Sequence, residues 1–536
     1  MRNLSALSSI VFVAFLLAVS GCSSSDDDDD SAAAGTGGSA VTGSGSSTGG
    51  GGSMAGSNAG GGASGSGGGG SMTMNSGGAG GSGASGAGGS AQTGGTGGTD
   101  VPGDGNVWAM MGYDEKNNYY NPNEKTFTVD NAADIKELWR FEVQGQPPGS
   151  PAIAEGKVFA QATGGLYAIN LADGTMAWQN LDLKGYSSVS YADGSIFVHT
   201  TPGAQVYRLK AADGTIEWGP VVSYDLANCD GTSSPTIAGD KVIVGHSCGP
   251  IETDFSADLA TLHPRGGVHA FNIADGSEAW HYFTVPDSGE DGAMVWSTVS
   301  ADVAAGVVYA STGNNYSVMG ANSDSIHAIN LADGTMKWKT QVRNTDLWSF
   351  VGNIGGPDTD FGANPIVAEV DGKKLVACGD KNAEAFAFDA ESGQKVWSVP
   401  AMTPSRSQAN GGVLNNGAFD GTNFYFVSND PTAATAMLHA IKAADGTPAW
   451  DPKPLPKINW GAISIANGLL FVPDGEFLMI FNAADGSMLK MFDTGGSIAA
   501  GAPAVAAGHI CVKSGLDYYL DSANAKPNNL VICYGL

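Results

Sequence analysis

Past residue 107 the chain is built from short runs in which apolar and polar positions alternate, the period of a half-buried strand. One run repeats. Tyr167-Ala-Ile-Asn-Leu-Ala-Asp-Gly-Thr-Met-Ala-Trp178 returns in altered form as Tyr207 to Trp218, His269 to Trp280, His327 to Trp338, Phe386 to Trp397 and His439 to Trp450. A seventh copy, Met479 to Lys490, lacks the tryptophan, and an eighth, Asp134-Ile-Lys-Glu-Leu-Trp139, lacks the strand that should precede it. Most copies predict a strand, a tight hairpin whose φ > 0 positions suit Asp-Gly, and a second strand opening on Trp. The intervening segments, such as Ser150-Pro-Ala-Ile-Ala-Glu-Gly-Lys-Val-Phe-Ala160, predict two further strands. Four strands per repeat is the unit of a β-propeller blade, so eight tags predict an all-β, eight-bladed propeller. The strand missing before Trp139 is available at the far end, in Leu530-Val-Ile-Cys-Tyr-Gly535. The N-terminal strand is therefore expected to close the ring by completing the blade that the C-terminus begins, which removes the open edge.

The repeat also sorts the side chains. Tryptophans 139, 178, 218, 280, 338, 397 and 450 hold the tag position and are expected to pack between blades; Trp108, Trp296, Trp348 and Trp460 lie off it. His269, His327 and His439 stand where other copies carry Tyr, Phe or Met, which predicts structural roles. Successive tags are 39, 40, 62, 58, 59, 53 and 40 residues apart, so four consecutive blades between Trp218 and Trp450 carry extra loop. Long loops on a rigid scaffold are where sites concentrate, and a site is expected within residues 219–450.

Composition changes the picture at the N-terminus. Met1 to Gly21 has a positive start at Arg2 and an apolar run from Ile10 to Val19, the pattern of an export signal. The run ends Leu17-Ala-Val-Ser-Gly-Cys22, which resembles a bacterial lipobox with Cys22 as the lipidated residue. Ser23 after it resembles the lipoproteins sent to the outer membrane. Residues 22–100 continue with Asp26–Asp30 and then Gly/Ser-rich repeats that can bury nothing, and are expected to form a disordered tether of roughly 50 Å r.m.s. span. The remaining 101–536 form the propeller domain. The net charge of −28 excludes a nucleic-acid surface, which needs clustered Lys and Arg. The only expected membrane contact is through the lipid anchor.

Some motifs are set aside. Gly245-His-Ser-Cys-Gly249 follows an apolar strand but precedes Pro250 instead of the helix that a nucleophile elbow requires. An exported location permits disulfides among Cys229, Cys248, Cys378, Cys511 and Cys533. Cys229–Cys248 with Cys511–Cys533 is one available pairing, which leaves Cys378 over; spacing alone does not fix the connectivity.

The tags, together with Ser311-Thr-Gly-Asn-Asn-Tyr-Ser317, Asp346-Leu-Trp348 and Gly356-Pro-Asp-Thr-Asp-Phe-Gly362, resemble the pyrroloquinoline-quinone (PQQ) alcohol dehydrogenases, in particular their polyvinyl-alcohol dehydrogenase branch. The likeness runs over roughly 105–536. It implies PQQ and a Ca²⁺ ion at the axis, with small or polymeric alcohols as substrate. By that resemblance Trp296 stacks beneath PQQ, Lys381 contacts the quinone oxygens, and Thr232 and Ser247 reach its carboxylates. Asn314, Glu252 and Asp346 ligate the ion, and Asp346 is also the catalytic base. No role is assigned to Asp358 or Asp360. The sequence departs from the family in lacking an adjacent Cys-Cys pair and in placing Asn415 where relatives have Trp. It carries no cytochrome segment, so electrons are expected to pass to a separate acceptor such as a cytochrome c. The competing reading is a non-catalytic scaffold: propeller lipoproteins of outer-membrane assembly share the tags and the anchor. Only the enzyme gives a reason for Thr-Gly-Asn, Asp-Leu-Trp and the off-tag Trp296 to coincide in enlarged blades.

Overall fold

The computed structural model describes residues 106–224, 229–248, 258–287, 289–349, 354–516 and 524–536. The leader, Cys22, the acidic run, the tether and Glu252 lie outside them. Eight four-stranded antiparallel meanders follow one another as blades 1 to 8: 152–180, 190–222, 236–283, 300–341, 366–399, 418–455, 464–493, and 504–535 completed by 136–142. Inner strands are buried throughout, as in Ala152–Ala154, whereas the fourth strand of blade 1, Met176–Asn180, is largely exposed. This gradient explains why the inner runs read as apolar and small while the outer ones alternate.

The ring closes as the repeat predicts. Lys136–Glu142 pairs antiparallel with Leu530–Gly535, setting Trp139 opposite Cys533. Cys533 is bonded to Cys511 across the neighbouring strand pair, Cys229 to Cys248, and Cys378 stays free and buried.

The tag works as a docking device. Indole N–H groups of Trp139, Trp178, Trp218, Trp280, Trp338, Trp397 and Trp450 donate to carbonyls of Leu171, Ala211, Ile273, Leu331, Ala390, Ala443 and Ala483, each in the next blade. The glycine of that blade's turn lies against the ring; a Cβ on Gly334 would stand 2.7 Å from Trp280. The turn itself differs from the tight hairpin expected. In blade 1 the strands join through a longer loop, where Asn170 N–H donates to Thr175 O and Gly174 N–H to Asn170 O, and only Gly174 has positive φ, +71°. Asp173 instead accepts from the Thr175 amide (3.0 Å) and hydroxyl (2.7 Å), holding the loop from its side chain. At the seam, Lys490 replaces the indole and its ammonium donates to Ala133 O at 2.6 Å.

Residues 107–121 form a plug that sequence periodicity does not reveal. Trp108 exchanges backbone bonds with Ile153 of blade 1, and Ala109 O accepts from Tyr191 of blade 2. Carbonyls of Glu115, Lys116, Asn118 and Tyr119 accept from Ala301, Val367, Phe419 and Ile465 of blades 4, 5, 6 and 7. One short segment thus pins the inner strands of six blades.

In a four-stranded meander the loops leaving the second and fourth strands share one end, and the turn between the third and fourth lies at the other. The Asp-Gly turns therefore occupy one face of the ring and the long loops the opposite face.

Candidate functional site

Four loops of the long-loop face converge between blades 4 and 5. Trp296 precedes blade 4, and Asn314 and Asp324 flank its second-to-third connection. Asp346, Asp358, Thr359 and Asp360 lie on the crossing from blade 4 to blade 5, and Lys381 directly follows the second strand of blade 5. The crossing carries a small hairpin pairing Trp348 with Gly355, and Leu347 bridges to Asn315.

Asp346, Asp358 and Asp360 are buried, with carboxylate oxygens within 4.8 Å of one another. The Lys381 ammonium lies among them, 2.9 Å from Asp358 Oδ1 and 2.7 Å from Asp360 Oδ1. It also lies over the face of Trp296, 5.4 Å from the ring centroid, and the indole N–H donates to Asp360 Oδ2 at 3.3 Å. Glycines admit this approach: a Cβ on Gly313 would stand 2.9 Å from Asp360 Oδ2, and one on Gly362 3.0 Å from Trp296. Asp346 Oδ2 accepts from the Thr359 amide at 2.8 Å, and the single hydroxyl proton of Thr359 is shared between Asp324 Oδ1 at 2.8 Å and Asp346 Oδ2 at 3.3 Å. Asp346 Oδ1 is buried without a partner.

Charge balance gives the site its character. Four buried carboxylates, of Asp324, Asp346, Asp358 and Asp360, face one ammonium; the nearby Arg343 is engaged by Asp380 and Glu384. Burial, reinforced by Asp324 and Asp360, pushes Asp346 up to about 8, and burial with Asp360 pushes Asp324 up to about 7. Burial disfavours the Lys381 cation, but Asp358 and Asp360 outweigh it and hold the pKa well above the usual lysine value. Such an excess of buried carboxylate needs protons or a divalent cation. An oxygen-rich set suits a hard ion. The Asn314 amide nitrogen is committed to the carbonyls of Trp348 (2.5 Å) and Asn315 (3.2 Å), so its oxygen is the atom that could serve a cation. The residues fit the group that the resemblance implies.

Of the remaining expected residues, Thr232 donates to the Trp296 carbonyl at 3.4 Å, so it belongs to this neighbourhood. Ser247 pairs through its backbone with Asp230 beside the Cys229–Cys248 bond. That disulfide, Met294 and Tyr316 form an apolar cluster against which Trp296 packs. The chain lacks an adjacent Cys-Cys pair, and the Cys229–Cys248 bond is the disulfide that lies near the indole. Trp460, in a second cluster with Leu414 that also meets Trp296, brings an indole close to where Asn415 lacks one. Sequence reasoning missed Asp324 and Thr359 and gave Asp358 and Asp360 no role. The Gly356 to Gly362 segment signals the last two; nothing distinguishes Asp324 from the many aspartates at strand ends.

Comparison with known proteins gives the family. The family model described as PQQ, glucose/ethanol/alcohol dehydrogenase, β-propeller domain matches residues 108–416, more than half of the chain. A polyvinylalcohol dehydrogenase of Sphingopyxis sp. (strain 113P3) is 27% identical, covering 76% of this chain and 72% of its own. Another from Pseudomonas sp. is 24% identical over 76% and 73%. Among solved structures, quinohemoprotein alcohol dehydrogenase ADHIIG of Pseudomonas putida HK5 superposes with a TM-score of 0.66 at 16% identity, covering 81% of this chain and 80% of that one. With its eight blades and this central site, the chain belongs to the PQQ-dependent glucose/ethanol/alcohol dehydrogenase β-propeller family and is an oxidoreductase of the alcohol dehydrogenase kind.

Proposed function

We propose that the protein oxidises the hydroxyl groups of a polymeric alcohol, with PQQ and Ca²⁺ at the site between blades 4 and 5, and passes electrons to a separate acceptor such as a cytochrome c. The observation that supports this most is the buried set of Asp346, Asp358 and Asp360 around Lys381, on the face of Trp296. A protein-binding scaffold has no use for it. PQQ, when bound, supplies an electrophilic quinone that accepts hydride, and Ca²⁺ polarises its carbonyl.

The chain's own residues do the rest. Trp296 offers a flat apolar platform at the axis. Asp358 and Asp360 fix Lys381, which presents a cation to an anionic ligand resting on that platform. Asp346 and the Asn314 oxygen would hold the metal ion, with Glu252 as the third donor by the family pattern. Asp346 takes the alcohol proton at Oδ1, the oxygen without a partner, while Thr359 holds Oδ2 in place. The polymeric substrate follows the names of the relatives. The leader and Cys22 support an exported lipoprotein, anchored at the outer membrane by a flexible tether.

The test is alcohol-dependent dye reduction by the full-length protein loaded with PQQ and Ca²⁺. Polyvinyl alcohol is expected to be turned over at lower hydroxyl concentration than a small secondary alcohol. Reduction with the small alcohol alone would contradict the polymeric substrate, and reduction with neither would contradict the enzyme reading. Cys22→Ser is expected to move the activity from the membrane fraction to the soluble one.

A further inference from the structure

Blade 3 holds a second cluster of ligating side chains, on its outer strands and apart from the carboxylates. His269 on the third strand and His281 on the fourth are directly opposed in the antiparallel register. Their rings lie 23° from parallel with centroids 5.6 Å apart. Glu278 reaches both: one carboxylate oxygen is 2.9 Å from His281 Nδ1, the other 3.9 Å from His269 Nδ1. His246 stands beside His269, with centroids 5.2 Å apart, but its Nε2 is spent on the Arg265 carbonyl at 2.6 Å.

His269 is the anomaly. It is 6% exposed, and neither ring nitrogen has a hydrogen-bond partner. A neutral imidazole always carries one N–H and one acceptor, so burying both without partners is unfavourable unless something else satisfies them. The tag position does not require an imidazole, since blades 1, 2 and 5 place Tyr167, Tyr207 and Phe386 there. In blade 4 the equivalent His327 satisfies Nδ1 with the Tyr282 hydroxyl at 2.8 Å and faces Lys339 across the strands. Blade 3 instead sets a second imidazole and a carboxylate at that place.

We propose that His269, His281 and Glu278 form a binding site for a divalent transition-metal ion of the zinc or copper class. Two imidazoles and one carboxylate are donors such ions take, whereas Ca²⁺ selects oxygen. Metal–ligand distances of about 2.0–2.2 Å require the His281–Glu278 hydrogen bond to open and admit the ion. Both side chains are about half exposed, 50% and 49%, so both can turn, and His281 must also leave its near-parallel stack on His269 for the two ring nitrogens to converge on one ion. The ion ties the third strand of blade 3 to the fourth and leaves its open positions to water.

The full-length protein, stripped by a chelator and titrated with Co²⁺, tests this. Nitrogen coordination is expected to give a visible ligand-field band that saturates at one equivalent and is displaced by Zn²⁺. Zn²⁺ is expected to raise the thermal midpoint. His281→Ala alters an exposed side chain, His269→Phe copies blade 5, and Glu278→Gln removes the anionic donor; each is expected to abolish the band, while Asp346→Asn retains it. Absence of the band in the parent protein, its survival in all three variants, or its loss in Asp346→Asn would overturn the proposal.

Discussion

Asp346 owes its chemistry to what surrounds each of its two oxygens. Thr359 ties Oδ2 and, through the same hydroxyl, Asp324, while Oδ1 is left without a partner. Removing the hydroxyl in Thr359→Val keeps the backbone bond but frees the carboxylate to rotate. Turnover is expected to fall about tenfold with KM little changed, the worth of one hydrogen bond to a charged group, and Thr359→Ser to restore it. A rise in KM alone would place Thr359 in binding instead of positioning. Burial also lowers the pKa of His439, from 6.5 to about 4. The folded state holds the ring neutral, so its contribution is present above pH 6.5 and is lost as pH falls toward 4. His439→Phe, the residue blade 5 has there, removes that dependence. The variant's denaturant stability relative to the parent is expected to improve by up to about 3 kcal/mol between pH 7 and pH 4; an unchanged difference would contradict the buried neutral ring.

Blade-to-blade docking depends on an indole meeting a glycine. Gly334 and Gly306 both have positive φ, +73° and +68°, but only a Cβ on Gly334 meets the Trp280 ring; Gly306 faces open space. Alanine at either is expected to cost about 1–2 kcal/mol of left-handed strain. Gly334→Ala is expected to cost about 1–3 kcal/mol more from overpacking, read from the two denaturation midpoints; equal losses would mean the contact is unimportant. At this scale the sequence was legible because one tag states the strand, the turn and the packing residue together. The φ of Asp173 was not, because Asp-Gly is compatible with several loops and only the Thr175 contacts select one. Lys490 shows the limit from the other side. It reads as a lost tryptophan, yet it makes the seam bond to Ala133 that an indole makes elsewhere.

Across the whole molecule, two N-terminal segments organise the ring: 136–142 closes its edge and 107–121 pins the inner strands of six blades. The first was legible from the orphan Trp139, the second was not, because most of its bonds are made by backbone groups and the side chains that join in, Asn117 to Val299 O and Asn121 to Val505 O, form no repeat. The site followed the same division. Long tag spacings pointed to residues 219–450, and the family resemblance named Trp296, Asn314, Asp346 and Lys381, which the structure brings together on the long-loop face between blades 4 and 5. That Lys381 belongs to Asp358 and Asp360 as much as to any ligand could not be read, since it depends on loops from two blades meeting. On the proposed function, this carboxylate set around Trp296 is a PQQ alcohol dehydrogenase site with Asp346 as its base. Its most direct test is PQQ-dependent dye reduction by the parent protein and by Asp346→Asn, with quinone absorbance measured in both. Quinone uptake by both proteins and turnover at least about 100-fold lower in the variant are expected. Equal turnover, or no uptake by the parent protein, would contradict it.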